Sequence, residues 1–141
     1  MKIAFLHTAQ VHVETFDTLV KAISPDVVCE HHVAPELLAR AQRDGLPSVE
    51  VETRKHLVEL SQADAVLCTC STLGPIADLI GKEHHNVTRV DRPLMEAACT
   101  YGKTPMVAIC LESTRDATLE LLHDCAAQSG IKVTPLSLIH I

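Results

Sequence analysis

Aromatic side chains are almost missing from this chain: there is no tryptophan, one tyrosine and two phenylalanines in 141 residues. The core must therefore be built from Ala, Val, Leu and Ile, within an apolar content of 47%, and that is the material of a packed parallel α/β sheet. The same scarcity leaves no platform for stacking nucleic-acid bases. Positive charge is also short, with 12 Lys+Arg against 18 Asp+Glu, a formal net charge of −6 and no basic run. Such a balance argues against both a nucleic-acid partner and an anionic membrane surface. No apolar stretch approaches the roughly 18 to 20 residues of a spanning helix. The opening Met1-Lys2-Ile3-Ala4-Phe5-Leu6 turns polar at His7, unlike a signal peptide. A cytoplasmic protein is expected, with enough chain for one domain and a real core.

What is present in excess is cysteine. Six thiols, at 29, 68, 70, 99, 110 and 125, are expected to stay reduced in a chain with no secretion signal and enough apolar residues to fold without staples. Cys29, Cys99, Cys110 and Cys125 fall inside apolar patterns and read as small core residues. Cys68-Thr69-Cys70-Ser71-Thr72 is different. It follows the short apolar run Asp64-Ala65-Val66-Leu67, which suits a strand covered on both faces, and it precedes Gly74-Pro75 and the apolar positions Ile76, Leu79 and Ile80. Gly74 is expected to release the turn and Pro75 to open a helix. Ligands of open α/β sheets bind at the carboxyl ends of strands, and a helix N-terminus there favours anions, thiolates included.

Strands are expected at 2–6, 27–33, 64–67, 86–90 and 106–111, with a sixth beginning at Ile131 to Val133. Helices alternate with them. The first shows Phe16, Leu19, Val20 and Ile23 on one face, the next run from Pro35 to Arg43 and Val49 to Gln62, and the fourth opens at Pro75. A fifth carries Leu94, Met95, Ala97, Ala98 and Tyr101. The last, opened by a capping box of Ser113 with Asp116, turns Thr118, Leu121, Leu122, Cys125 and Ala126 inward and closes at Gly130. Alternation of this kind gives right-handed crossovers and a parallel sheet flanked by helices. Two turns share one logic, strand, hydroxyl-rich turn, helix: Cys70-Ser71-Thr72 and Glu112-Ser113-Thr114.

Four segments, Ile3-Ala4-Phe5-Leu6-His7-Thr8, Val66 to Gly74, Arg89 to Ala98 and Val107 to Thr114, resemble in their order the aspartate/glutamate/hydantoin racemase superfamily. The resemblance implies two similar α/β lobes, a first at 1–100 and a second starting at 101–135. It also implies cofactor-independent chemistry in which one cysteine takes the proton alpha to a carboxylate and a second returns it to the opposite face. Cys70 corresponds to the first cysteine, with Ser71 and Thr72 as carboxylate ligands and Ser113 and Thr114 as the hydroxyls of the other lobe. Ser71 stands where the racemases carry asparagine, which changes the substrate contact. The second cysteine would lie beyond residue 141. Cys110 and Cys125 do not match its position.

The last six residues, Leu136 to Ile141, match the translation of a transposon-derived sequencing adapter, so native sequence is expected to end near Pro135. The expectation is then a truncated racemase/isomerase-like protein acting on a small carboxylate, inactive as it stands, with an exposed sheet edge open to homo-oligomer formation. Two alternatives stay open: a non-catalytic small-anion-binding module, and a one-cysteine isomerase or decarboxylase of the same superfamily. His7 reads as a polar wall of the pocket, or equally as core or surface filler. Zinc at Cys68-x-Cys70 is disfavoured because no second Cys or His pair stands at ligand spacing, so neither metal nor cofactor is expected. His31-His32 and His84-His85 read as solvated. Asp91 and Arg92 suit either a local salt bridge and turn or a cleft rim.

Overall fold

The computed structural model describes residues 1–102, 104–135 and, for the backbone, 138–140. It divides into two compact units, Met1–Val90 and a second that begins at Asp91. The boundary falls earlier than the expected residue 100, because the helix at Arg92–Tyr101 packs into the second unit's core.

In the first unit a parallel sheet of β1 (Lys2–His7), β2 (Val28–Val33), β3 (Ala65–Cys68) and β4 (Val87–Arg89) runs in the order β2-β1-β3-β4. The helices are α1 (Val11–Ile23), α2 (Pro35–Asp44), α3 (Glu50–Leu60) and α4 (Gly74–Glu83). Val49, expected to open α3, instead ends a 3₁₀ turn, Leu46–Val49, that leads into it. The chain goes outward from β1 to β2, then crosses back over β1 to β3, so the strand order reverses between β1 and β3. Their carboxyl ends flank that reversal.

Register sorts the side chains. Ala4 pairs with Val66, Leu6 with Cys68, Val66 with Val87 and Cys68 with Arg89, and every one of these is buried, in the face that packs Leu37, Leu57, Leu73, Ile76 and Ile80. The opposite face carries Phe5 and His7 beside Cys29 and His31. It is covered in part by α1, whose Phe16 ring stands 5.5 Å from Phe5 and 5.6 Å from His7. Only half of the apolar stripe expected on α1 faces inward: Phe16 and Val20 are half-buried, but Leu19 is 53% and Ile23 86% exposed. The helix is turned so that His12, Val13, Phe16, Asp17 and Val20 are its half-buried residues.

Gly74 also differs from expectation. Its φ of −50° and ψ of −44° are ordinary helical values, so it is not there for conformational freedom. A Cβ at this position would lie 2.6 Å from Nε of Arg89 and closer still to the guanidinium carbon. Arg89 is 2% exposed and its Nη1 stands 3.0 Å from an Asp78 carboxylate oxygen on α4.

The second unit holds α5 (Arg92–Tyr101), β5 (Val107–Ile109), α6 (Arg115–Gln128) and β6 (Leu138–His140). Met95 and Cys99 of α5 pack with Leu121, Leu122, Cys125 and Ala126 of α6, the inner face expected for that helix. Arg92 pairs with Asp124 across the two helices at 3.3 Å, a local bridge. β5 and β6 pair in parallel from Val107 with Leu138 to Ile109 with His140. The sixth strand is therefore Leu138–His140, whereas 131–135 is irregular. It falls within the expected tail, of which residues 136, 137 and 141 lie outside the described residues. The N-cap of α6 is Thr114 rather than Ser113, and it makes no side-chain capping bond, because Glu112–Thr114 already winds as a 3₁₀ turn. No described helix is long and apolar enough to cross a membrane.

Helix propensity alone makes Gly74→Ala stabilising by up to about 1 kcal/mol. Here the added methyl displaces a buried, paired guanidinium, and disruption of such a pair costs roughly 3–5 kcal/mol. Urea denaturation of Gly74→Ala should show a net loss of about 2 kcal/mol or more.

Candidate functional site

The site is built at the carboxyl ends of β1 and β3, where open parallel sheets reverse strand order and take ligands. After Cys68 the chain stays extended at Cys70 (φ −106°, ψ 112°) and then winds through a 3₁₀ turn, Ser71–Leu73, directly into α4. The Cys70 carbonyl accepts from the Leu73 N–H at 3.1 Å and from the Cys68 thiol at 3.8 Å, which closes the turn. Cys70 and Thr72 are each 7% exposed, and Ser71 is half-buried. Ser71 thus offers the most accessible hydroxyl of the turn. Cys70 lies at its floor, in the same cluster as Leu73 and Ile76. Cys68 is wholly buried in the sheet, as its place on the strand requires.

The second unit repeats this construction. Leu111 is extended (φ −130°, ψ 131°), its carbonyl accepts from the Thr114 N–H at 3.0 Å, and the 3₁₀ turn Glu112–Thr114 leads into α6. The match places Leu111 where the first unit has Cys70. Ser113 is half-buried, and Thr114, also half-buried, donates its hydroxyl to the Leu111 carbonyl at 2.7 Å. Cys70, Ser71 and Thr72 lie together in the turn after β3, whereas the His7 ring, at the end of β1, is on the other face of the sheet with Phe5 and His31, and Ser113 and Thr114 belong to the corresponding turn of the other unit.

His7 is completely buried, and both ring nitrogens are engaged. Nδ1 stands 2.8 Å from Oγ1 of Thr69 and Nε2 2.9 Å from Nδ1 of His31. The Thr69 hydroxyl reaches the Leu6 carbonyl at 3.2 Å, an acceptor only. When that proton goes to Leu6, His7 donates from Nδ1 to Thr69 and accepts at Nε2 from His31; when Thr69 donates to His7 instead, both directions reverse. His7 is therefore a structural wall that ties β1 to β3 and β2, with no ring nitrogen left for a ligand. His31 and Thr69 are the residues sequence reasoning missed. Their signal was the shared strand-end position of His7 and Thr69, and the pairing of two strands whose register no local pattern fixes. His31-His32 is not a solvated pair: His31 stacks on Phe5 with centroids 4.9 Å apart, and His32 lies against His56 at 4.4 Å.

All six cysteines are free thiols, but their burial is not the expected one. Cys110 is exposed and Cys29 half-buried, while Cys68, Cys70, Cys99 and Cys125 are buried. Cys110 falls just after the end of β5, outside the strand pattern that would have buried it. Limited iodoacetamide treatment followed by peptide mass spectrometry should label Cys110 first, ahead of Cys70, with Cys68 and Cys99 protected until unfolding.

Burial, and then the neighbouring His31 and His12, push His7 down from 6.5 to about 4. The unfolded chain takes up this proton at higher pH than the folded one. Stability from a neutral His7 is therefore present above pH 6.5 and is lost as pH falls toward 4, by an amount of order 3 kcal/mol. Denaturation midpoints should fall across that window, and His7→Gln should flatten the part of the profile that His7 contributes.

Comparison of the chain with known protein families, with curated proteins and with solved structures finds no match.

Proposed function

We propose that this chain is a cofactor-independent isomerase-type protein that binds a small carboxylate at the carboxyl ends of β1 and β3 and moves its alpha proton with Cys70. The observation that carries the reading is the turn after β3. It sets a thiol, two hydroxyls and the start of a helical run at the strand-order reversal of a parallel sheet, where the first N–H groups of a helix lack intrahelical partners and favour anions.

A proton alpha to a carboxylate is very weakly acidic, and its removal generates an enediolate. Ser71, Thr72 and the turn N–H groups are the donors that can meet the developing charge. Cys70, as thiolate, takes the proton and becomes a thiol. Return of a proton to the same face restores the starting stereochemistry, and inversion needs a second group on the opposite face. The resemblance of the four segments to the racemase superfamily supports this chemistry. A second reading, a small-anion-binding module without chemistry, is favoured by the enclosure of Cys70 among Leu73 and Ile76.

Solvent-deuterium incorporation at the alpha carbon of aspartate, glutamate or a hydantoin separates the two, since it registers proton removal even without inversion. The expected outcome is exchange without racemisation by the 141-residue chain, reduced about 10²–10⁴-fold in Cys70→Ala, the range for loss of a general base. Binding of the carboxylate should survive that change and weaken in Ser71→Ala. Exchange that is absent, or unchanged in Cys70→Ala, leaves the binding module as the reading.

A further inference from the structure

Away from the Cys70 turn, Asp17 of α1 and Cys29 and His31 of β2 bring a carboxylate, a thiol and an imidazole together. One donor atom from each lies within 4.8 Å of the others. Cys29 and His31 are two apart on a strand, so they share a face, and the orientation of α1 that leaves Leu19 and Ile23 outside turns Asp17 toward that face. A tetrahedral ion with bonds of about 2.0–2.3 Å holds its donors roughly 3.3–3.8 Å apart.

His31 supplies an independent observation. Its Nε2 is buried without a hydrogen-bond partner and stands 4.0 Å from Oδ1 of Asp17. In the tautomer in which Thr69 donates to Leu6 and His7 to Thr69, His31 donates from Nδ1 and its Nε2 lone pair faces Asp17 and Cys29. A ligating histidine has this arrangement: one nitrogen bare toward the metal, the other held by a hydrogen bond that fixes ring and tautomer.

We propose that Asp17, Cys29 and His31 form a three-ligand site for a zinc-class divalent ion, with His7 as the residue that positions His31. Mixed sulfur, nitrogen and oxygen donors suit zinc and its spectroscopic substitute cobalt, and disfavour magnesium and calcium, which take oxygen. Three protein ligands leave a fourth position for water or an exogenous ligand. Binding releases the thiol proton of Cys29 to solvent as the sulfur–metal bond forms. Lys21 pairs with Asp17 through Oδ2, leaving Oδ1 on the side of His31. The sequence carries Cys29-x-His31 as its visible trace, but the third ligand comes from a helix and only the fold supplies it.

The test is titration of the purified full chain with Co²⁺, followed by competition with Zn²⁺. One equivalent of Co²⁺ should develop a thiolate-to-cobalt charge-transfer band and tetrahedral d–d bands, with release of a proton, and Zn²⁺ should displace it. Cys29→Ser should abolish the charge-transfer band, while Cys110→Ser and Cys70→Ser keep it. Asp17→Asn, a near-isosteric change, should weaken affinity at least about ten-fold and serves if His31→Ala fails to fold. His7→Gln should weaken it about 10–100-fold, as loss of a supporting hydrogen bond does. Absence of saturable one-to-one binding, or a band that persists in Cys29→Ser, overturns the proposal. Neither result bears on exchange at Cys70.

Discussion

A positive charge buried beneath a helix start is the constraint on which the Cys70 turn depends. Arg89 ends β4 on the core face of the sheet, where its neighbours by register are apolar or thiol, and an unpaired guanidinium there would be very costly. Asp78, one turn into α4, pairs with it, and Gly74 leaves the space it fills. The first turn of α4 is thereby held against β4 at a fixed height. The 3₁₀ turn Ser71–Leu73 that runs into it has little freedom left. The orientation of Cys70, Ser71 and Thr72 is set from below by an ion pair that touches no ligand.

The two faces of the first sheet divide the work. One is dry and aliphatic, lined by Ala4, Leu6, Val66 and Val87, and makes the core that scarce aromatics predict. The other gathers both phenylalanines with His7, His12 and His31 in an aromatic group, with Phe5, His7 and His31 stacked and Phe16 and His12 tilted or edge-on to them. The imidazoles bring nitrogen atoms to where an aliphatic face would offer none.

Legibility followed the range of the interactions. The alternation of strands and helices, the inward residues of α6 from Thr118 to Ala126 and the left-handed closure at Gly130 (φ 68°) are set by local periodicity and turn chemistry, and the chain states them openly. The repeated strand–turn–helix unit was legible for the same reason. What escaped was decided between elements. The rotation of α1 goes with Phe16 packing on Phe5 and His7 and Asp17 facing β2, which leaves Leu19 and Ile23 of the apolar stripe outside. Gly74 reads as a turn residue until Arg89 is placed behind it. The sixth strand shifted from 131–133 to 138–140 because pairing with β5, which no periodicity encodes, selects the segment. The roles of Cys70, Ser71 and Thr72 came from a resemblance, and the structure supplies their common location.

In the tautomer that leaves Nε2 of His31 bare, the row of hydrogen bonds from His31 through His7 and Thr69 to the Leu6 carbonyl has a single polarity, with each proton pointing from β2 toward the β1–β3 seam. Each donor polarises the next, so such a row strengthens as a unit. Positive charge arriving at the bare nitrogen of His31 makes its opposite N–H a better donor, and the tightening passes along the row to Thr69, the residue next to Cys70. The sheet thus contains an electrical lead laid across three strands, with one end at a helix-facing donor cluster and the other at the base of the thiol turn.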